Sequence, residues 1–289
     1  MHVLDSHESR SKFLQDRSMT YYRIVGGLGN QLFGLSRAYL LHKEIGKRIA
    51  IDVSHLDHTS ESGPDWKDWN GLEGWSELVK SPKHLTPPNQ LQNLSDSPKE
   101  ENFNTNFYTG WKFSLEEVLR SGLFSPGELP FSTPNVKNVK VGMHLRGGDY
   151  RQAIGIGLLS KAYYRRAIQA FQIAKGQEIT VFSDDPEYAN TITEEFKSQF
   201  SFILSENISS LHLLAEMSAS ETFIGSNSTL SWWATFFSKG SRIALPKPMY
   251  LQGWFADREI HLDKASYFDR FPNKLIKGYN YLKWQCIPN

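Results

Sequence analysis

The run Val139-Lys140-Val141-Gly142-Met143-His144-Leu145-Arg146-Gly147-Gly148-Asp149-Tyr150-Arg151 decides the fold. Its apolar residues alternate up to Leu145, the pattern of one strand. Two glycines then stop the strand, and His144, Arg146 and Asp149 are set down around its end. A solvated ion pair between Arg146 and Asp149 is the plain reading. His144 and Arg146, however, point the same way from an extended chain, because side chains alternate with period two. A cation at the carboxyl end of a strand suits a phosphate.

Beyond this run the pattern repeats. Ser160 is expected to cap a helix with Tyr164, Ala167, Ile168 and Phe171 on one face. Glu178 to Phe182 reads as a strand, and Pro186 opens a helix to about Lys197. Phe200 to Leu204 is the next strand, followed by a helix capped by Ser209 or Ser210 that carries Leu211, Leu214 and Ala215. Thr222 to Ile224 is a strand, Leu230 to Phe237 a helix, and Arg242 to Leu245 a strand. Strict alternation predicts a parallel sheet with helices on both faces. Ligands of such sheets bind beyond the carboxyl ends of the strands.

The first part of the chain opens in the same way. Thr20 to Val25 reads as a strand, Gly26-Gly27-Leu28-Gly29 as a turn, and Leu32, Leu35 and Tyr39 as one face of a helix reaching Lys43. Arg48 to Asp52 is a second strand, completing a βαβ unit. From His55 to about Asn135 eight prolines break the pattern, and only short helices are expected, around Trp75 to Val79 and Leu115 to Arg120. Two lobes are predicted, split near residues 134 to 138. Residues 1–18 form a polar tail, 19–136 a first domain and 137–289 a second, with about 270–289 packing back on the first.

Three further loops follow strands. Gly26 to Gln31 allows close backbone approach to an anion at a helix N-terminus. With Asp52 at the end of the second strand it weakly matches a dinucleotide fingerprint, although Leu32 stands at the third glycine position. A tight turn is the plain reading. Ser183-Asp184-Asp185-Pro186 is ordinary N-cap chemistry. Its adjacent carboxylates lack the spacer and third ligand of a metal site, but a carboxylate can also accept from the N1–H and N2–H₂ donors of guanine. In Ser226-Asn227-Ser228-Thr229-Leu230-Ser231-Trp232-Trp233 one hydroxyl must cap the helix, and the excess suggests a phosphate cradle. The Trp pair reads as buried packing.

Composition narrows the class. In 289 residues, 32 Lys and Arg face 31 Asp and Glu, a net charge of +1. That is too even for a general nucleic-acid binder. One cysteine, Cys286, excludes an internal disulfide and a multi-cysteine zinc site, and points to a reducing cytoplasm. No apolar run approaches a membrane span, and the first 18 residues carry no signal-peptide core.

Together, the four loops in this order and spacing resemble the α-1,2-fucosyltransferases. The α-1,6- and protein O-fucosyltransferases share parts of the pattern. The resemblance spans about residues 20 to 245. It implies an α/β fold of the GT-B type, two Rossmann-like domains facing each other across a cleft. The donor would be GDP-β-L-fucose, transferred with inversion and without a metal or other cofactor to a galactose-containing acceptor, giving an α-1,2 linkage. By motif position Arg146 would bind the β-phosphate and His144 would lie near the nucleoside. Asp184 or Asp185 would recognise guanine, and Asn227, Ser228 and Thr229 would hold phosphate. From the first lobe Gly29, Asn30 and Gln31 form the loop at the donor, with Asn30 reaching the pyrophosphate or fucose.

The family usually reads two arginines before Gly-Asp-Tyr, and here the second is Gly147. Arg151 is the candidate to compensate. Asp149 is the candidate general base or sugar ligand. Trp66 and Trp69, with Trp75 and Trp111, are acceptor candidates, because aromatic faces stack on sugar rings. A lipid-linked acceptor would bring the protein to the inner membrane face. Two alternatives stay open: an NAD-dependent oxidoreductase using Gly26 to Gly29 and Asp52, and a non-catalytic sugar-nucleotide binder.

Overall fold

The computed structural model describes residues 19–23, 27–45, 48–52, 114–131, 135–152, 157–205, 209–240, 242–249 and 262–269. Trp66, Trp69, Trp75, Trp111, Cys286, the 1–18 tail and the 270–289 segment lie outside them. The chain divides into two compact units between Pro134 and Asn135, the first unit also taking in Ser209–Leu211.

In the first unit, strands β1 (Met19–Arg23) and β2 (Arg48–Asp52) pair in parallel, with helix α1 (Leu28–Ile45) joining them. This is the expected βαβ unit. The helix begins at Leu28, so Gly29 lies inside its first turn and not in the preceding loop. Leu32, Phe33, Leu35, Ala38 and Leu40 are buried at the helical repeat. Helix α2 (Leu115–Ser121) packs on α1. Ser114 caps its start, and Gly122, at φ 67°, ends it in the left-handed conformation. Arg37 pairs with Glu117, and Lys43 Nζ donates to the Arg120 carbonyl at 3.1 Å.

The second unit holds a six-stranded parallel sheet. Its strands are β3 (Val141–Leu145), β4 (Glu178–Ser183), β5 (Ser201–Leu204), β6 (Thr222–Ile224), β7 (Arg242–Lys247) and β8 (Ala265–Asp269). The helices between them are α3 (Lys161–Ala170), α4 (Pro186–Thr193), α5 (Ser210–Ala219) and α6 (Thr229–Phe237). The strand order is β5-β4-β3-β6-β7-β8. Numbered from β3, this is 3-2-1-4-5-6, the order of the Rossmann fold. The α/β class expected from the alternation is the one the chain adopts.

Three local details differ from the expectation. Helix α4 tightens into a 3₁₀ turn at Glu194–Phe196 before reaching Lys197. Ser160 takes the extended N-cap conformation of α3 without a side-chain bond to the helix amides. Strand β8 was not foreseen, and it supplies the sixth position of the order.

Strand β3 is buried along its whole length. Val141, Met143 and Leu145 share a core with Tyr163, Tyr164, Ala167 and Ile168 of α3 and with Tyr188, Ala189 and Ile192 of α4. The alternate residues face the other way: Gly142 lies against Ser220, and His144 against Ser231 of α6. Trp232 and Trp233 are buried, as expected, and pack edge to face at 5.0 Å with Phe236 and Phe237 beside them. Among the described residues no helix is long and apolar enough to cross a membrane.

Candidate active site

The chain runs outward from β3 through β4 to β5, then returns to lay β6 on the other side of β3. The crevice of such a sheet opens at that reversal, above β3 and β6. The register decides which loops meet there. Leu145 of β3 stands opposite Ser183 of β4, and Met143 opposite Ile224 of β6. One residue further along β3 and β4 the Arg146 loop therefore meets Asp184 and Asp185, and His144, one residue past Met143, reaches Ser226, two residues past Ile224. Ser183 Oγ ties the first pair of ends together by donating to the Leu145 carbonyl at 2.7 Å.

Arg146 sits at the centre. Its guanidinium bonds Asp149 Oδ1 at 2.5 Å and Asp184 Oδ2 at 2.5 Å, and it lies over the Tyr150 ring at 5.1 Å. Burial alone would lower its pKa, but Asp184, Tyr150 and Asp149 outweigh that and hold it above the ordinary value. The buried Tyr150 hydroxyl is pushed up to about 12, chiefly by burial, and is hydrogen-bonded to Ser228. Arg146 thus stays charged, with a 19% exposed side chain.

The two adjacent aspartates have separate duties. Asp185 caps α4 by accepting from Tyr188 N at 2.8 Å, and it receives Arg151 at 2.5 and 3.0 Å. The Arg151 bonds, more than burial opposes, pull its pKa below the usual carboxylate value. Asp184 accepts from Gly147 N at 3.0 Å and from Arg146. Burial raises its pKa, with Arg146 and the Gly147 amide acting against that. The Asp185 carboxylate is held by Arg151 and the cap amides with its side chain 10% exposed, whereas the Asp184 side chain is 30% exposed. Of the pair proposed for guanine, Asp184 has the capacity to spare.

Arg151 does not stand in for the absent arginine at 147 as a free cation. Its guanidinium is spent on Asp185 and, at 3.2 Å, on Glu187.

The Ser226–Thr229 loop is more internal than a cradle of side chains would be. Ser226, Asn227 and Ser228 are buried, and Thr229 is half-buried. Ser228 caps α6 by accepting from Leu230 N at 3.1 Å, and Asn227 Nδ2 donates to the Gly157 carbonyl at 2.8 Å. What this loop offers outward is therefore the start of α6 and Thr229. His144 is buried, with its pKa brought down to about 3 by burial and then by the Arg146 charge. It is a neutral ring.

In the first unit, Gly29, Asn30 and Gln31 form the opening turn of α1, where Gln31 N donates to the Gly27 carbonyl at 2.9 Å. Asp52 ends β2. Trp66 and Trp69 fall outside the described residues. Among those residues no cluster of three or more His, Cys, Asp or Glu is placed to hold a metal ion.

Sequence reasoning missed Ser231, which bonds His144 and the Ser226 amide. Its signal was a serine between Leu230 and Trp232 in a mostly apolar helix.

A family model described as glycosyl transferase family 11 matches residues 93–265, which takes in all the loops of the second unit. A curated relative, an alpha-1,2-colitosyltransferase of Escherichia coli, is 23% identical over 90% of this chain and 99% of its own. Among solved structures, the fucosyltransferase NodZ from Bradyrhizobium is similar at 13% identity, covering 78% of this chain and 94% of that one with a TM-score of 0.41. The heptosyltransferase WaaC of E. coli is similar at 9% identity, covering 92% and 99%, with a TM-score of 0.40. Both structural likenesses are too loose to assign a fold, which rests on the strand order itself.

Proposed function

The chain belongs to glycosyl transferase family 11, and from that premise we propose that it moves L-fucose from GDP-β-L-fucose to a galactoside hydroxyl, with inversion and an α-1,2 linkage. The GT-B arrangement and the absence of a metal requirement belong to the same proposal. The family match does not favour the oxidoreductase alternative, which explains one loop and leaves three idle.

The observation that carries the proposal is Arg146, a half-buried guanidinium at the sheet reversal between two carboxylates and over Tyr150, whose hydroxyl bonds the Ser228 cap of α6. In the reaction the bond from fucosyl C1 to the β-phosphate oxygen breaks, and its electron pair leaves with GDP. A bond from the acceptor oxygen to C1 forms on the opposite face, and the acceptor proton passes to a base. The charge that grows on the leaving diphosphate is what Arg146 stabilises, with two donors matched to two phosphate oxygens. The diphosphate replaces the Asp149 and Asp184 carboxylates in that contact. Asp149 is then released beside the reacting centre as the candidate base, its side chain 55% exposed. Thr229 and the start of α6 supply further donors for phosphate, and Asp184 is the candidate for the guanine edge.

The Escherichia coli relative transfers colitose by its name, which brings a second sugar into question. Colitose lacks one ring hydroxyl of fucose, so a site that hydrogen-bonds that hydroxyl separates the two donors strongly. The test is turnover with both GDP-sugars on free and lipid-linked galactosides, with and without EDTA, and linkage analysis of the product. An α-1,2-fucosyl galactoside formed in EDTA is the expected result. Product from GDP-colitose alone would replace the donor, and restoration of an EDTA-inhibited reaction by Mg²⁺ or Mn²⁺ would remove the metal-free mechanism. Absence of transfer from either donor, with GDP still bound, would leave a sugar-nucleotide binder.

A further inference from the structure

We propose that Ser231 is a positioning residue: it fixes the His144 ring in the tautomer that carries its hydrogen on Nε2, so that the ring offers a neutral N–H donor at the carboxyl end of β3. The inference rests on the proposed function only for the ligand that receives this hydrogen, an acceptor oxygen of the donor nucleotide.

The hydrogens can be followed one at a time. Ser226 N donates to Ser231 Oγ at 2.8 Å. A serine hydroxyl has one hydrogen of its own and two lone pairs, and one lone pair is now used. Two acceptors lie near its hydrogen: His144 Nδ1 at 2.6 Å and Ser226 Oγ at 3.3 Å. The contact to Nδ1 is far the shorter, and an O–H···O bond is weak at 3.3 Å. The hydrogen therefore goes to Nδ1, which must be bare to accept it. In a neutral imidazole the partner of one nitrogen decides where the proton sits, and here that leaves Nε2.

The opposite tautomer would have Nδ1–H donate to Ser231 and would leave the Ser231 hydrogen only the long contact to Ser226. Ser226 Oγ is also 3.2 Å from Nδ1, so a second hydroxyl faces the same lone pair. Nε2 has no hydrogen-bond partner among the described residues.

The arrangement suits a site built around Arg146. A second cation there would be repelled by the guanidinium, whereas a neutral donor adds a directed hydrogen bond at no such cost. Its protonation does not have to change when an anion binds.

The experiment is long-range ¹H–¹⁵N correlation on the full chain labelled with ¹⁵N-histidine, the His144 signals being assigned by comparison with His144→Gln. The expected spectrum shows His144 as the Nε2–H tautomer in the wild type and in Ser231→Thr, with that preference weakened in Ser231→Ala, where only the Ser226 hydroxyl at 3.2 Å still faces Nδ1. GDP affinity measured by calorimetry on the same proteins should fall by roughly three- to tenfold in Ser231→Ala, the size of one ordinary hydrogen bond, and recover in Ser231→Thr. An Nδ1–H tautomer in the wild type overturns the inference, and that reading does not depend on any variant folding. A tautomer and a GDP affinity both unchanged in Ser231→Ala overturn the role of Ser231. A wild type that binds no GDP counts against the proposed function, while the tautomer is still read from the spectrum.

Discussion

The bare Cα of Gly147 lies against the side chain of Asp185: a Cβ at position 147 would stand 2.5 Å from both the Cβ and the Oδ2 of Asp185. Real side chains do not approach so closely, and the Cβ of Asp185 cannot swing aside as a flexible tip would. Gly148 faces the tip of the Asp184 side chain, whose Oδ2 would be 2.3 Å and Cγ 3.2 Å from an added Cβ. The two glycines let two loops close on each other, and the cations on either side, Arg146 and Arg151, each take one of the aspartates.

Gly147→Arg, which restores the arginine pair of the resembled family, should therefore weaken the protein. Overpacking of this kind costs about 1–3 kcal/mol. A lower melting temperature with no gain in GDP affinity is the expected outcome. An unchanged melting temperature together with tighter GDP binding would show that Asp185 yields easily and that position 147 is open.

Arg146→Ala should lower kcat/KM for fucosyl transfer by about 10²–10³, the usual loss for one group that stabilises developing charge. Arg146→Lys should recover little, because an ammonium cannot hold two phosphate oxygens in a plane. The same change removes the main influence that opposes burial at Asp184, so the carboxyl of Asp184 should titrate higher in Arg146→Ala than in the wild type. Carboxyl-detected NMR reads that shift, and steady-state kinetics with GDP-fucose reads the rest. Kinetics near those of the wild type would take Arg146 out of the mechanism.

Arg151 should contribute stability that disappears in acid. Its bonds depress the Asp185 pKa in the folded state. A depressed carboxylate stabilises the fold above its unfolded pKa, near 4, and that contribution is lost as pH falls through the folded value. Arg151→Ala should accordingly melt below the wild type at neutral pH, with the gap closing as pH drops below about 4. A gap that is constant from pH 7 to pH 3 would show that the ion pair is not its source.

Asp184 and Asp185 should separate cleanly. Asp185→Ala removes an N-cap and should cost about 0.5–2 kcal/mol of stability, and it also strands Arg151. Asp184→Asn keeps the shape and the Gly147 contact, so it should fold normally and weaken GDP more than ADP or UDP if Asp184 reads guanine. Equal loss for all three nucleotides would place the effect on the phosphates.

The sequence by itself determined the class of the fold and which polar groups stand at the ends of its strands. Alternating strands and helices from Val139 to Leu245 leave a short chain no route but a parallel sheet, because each strand must return over a helix to the same edge. The ends of the strands were legible too, since glycine and proline mark them, and the groups proposed for the site stand at those ends. Strand β8 was not legible: Ala265–Asp269 has no flanking helical period to set it off, and its place is decided by pairing with Ile243 to Lys247 of β7.

Partners were decided only in three dimensions. Asp184 and Asp185 are neighbours in sequence with the same charge, yet one faces Arg146 and the other Arg151, because the offset of β3 against β4 sets which loop residues meet. Arg151 looked like a replacement for a missing phosphate ligand until the structure gave it to the cap of α4. Ser231 looked like one hydroxyl in a run of several until the strand pairing of β3 with β6 carried it to His144, 87 residues away. Residue type and spacing are local properties of the chain. Which polar group answers which depends on strand register and on the close approach of Gly147 and Gly148 to the Asp185 and Asp184 side chains, and those exist only once the sheet has formed.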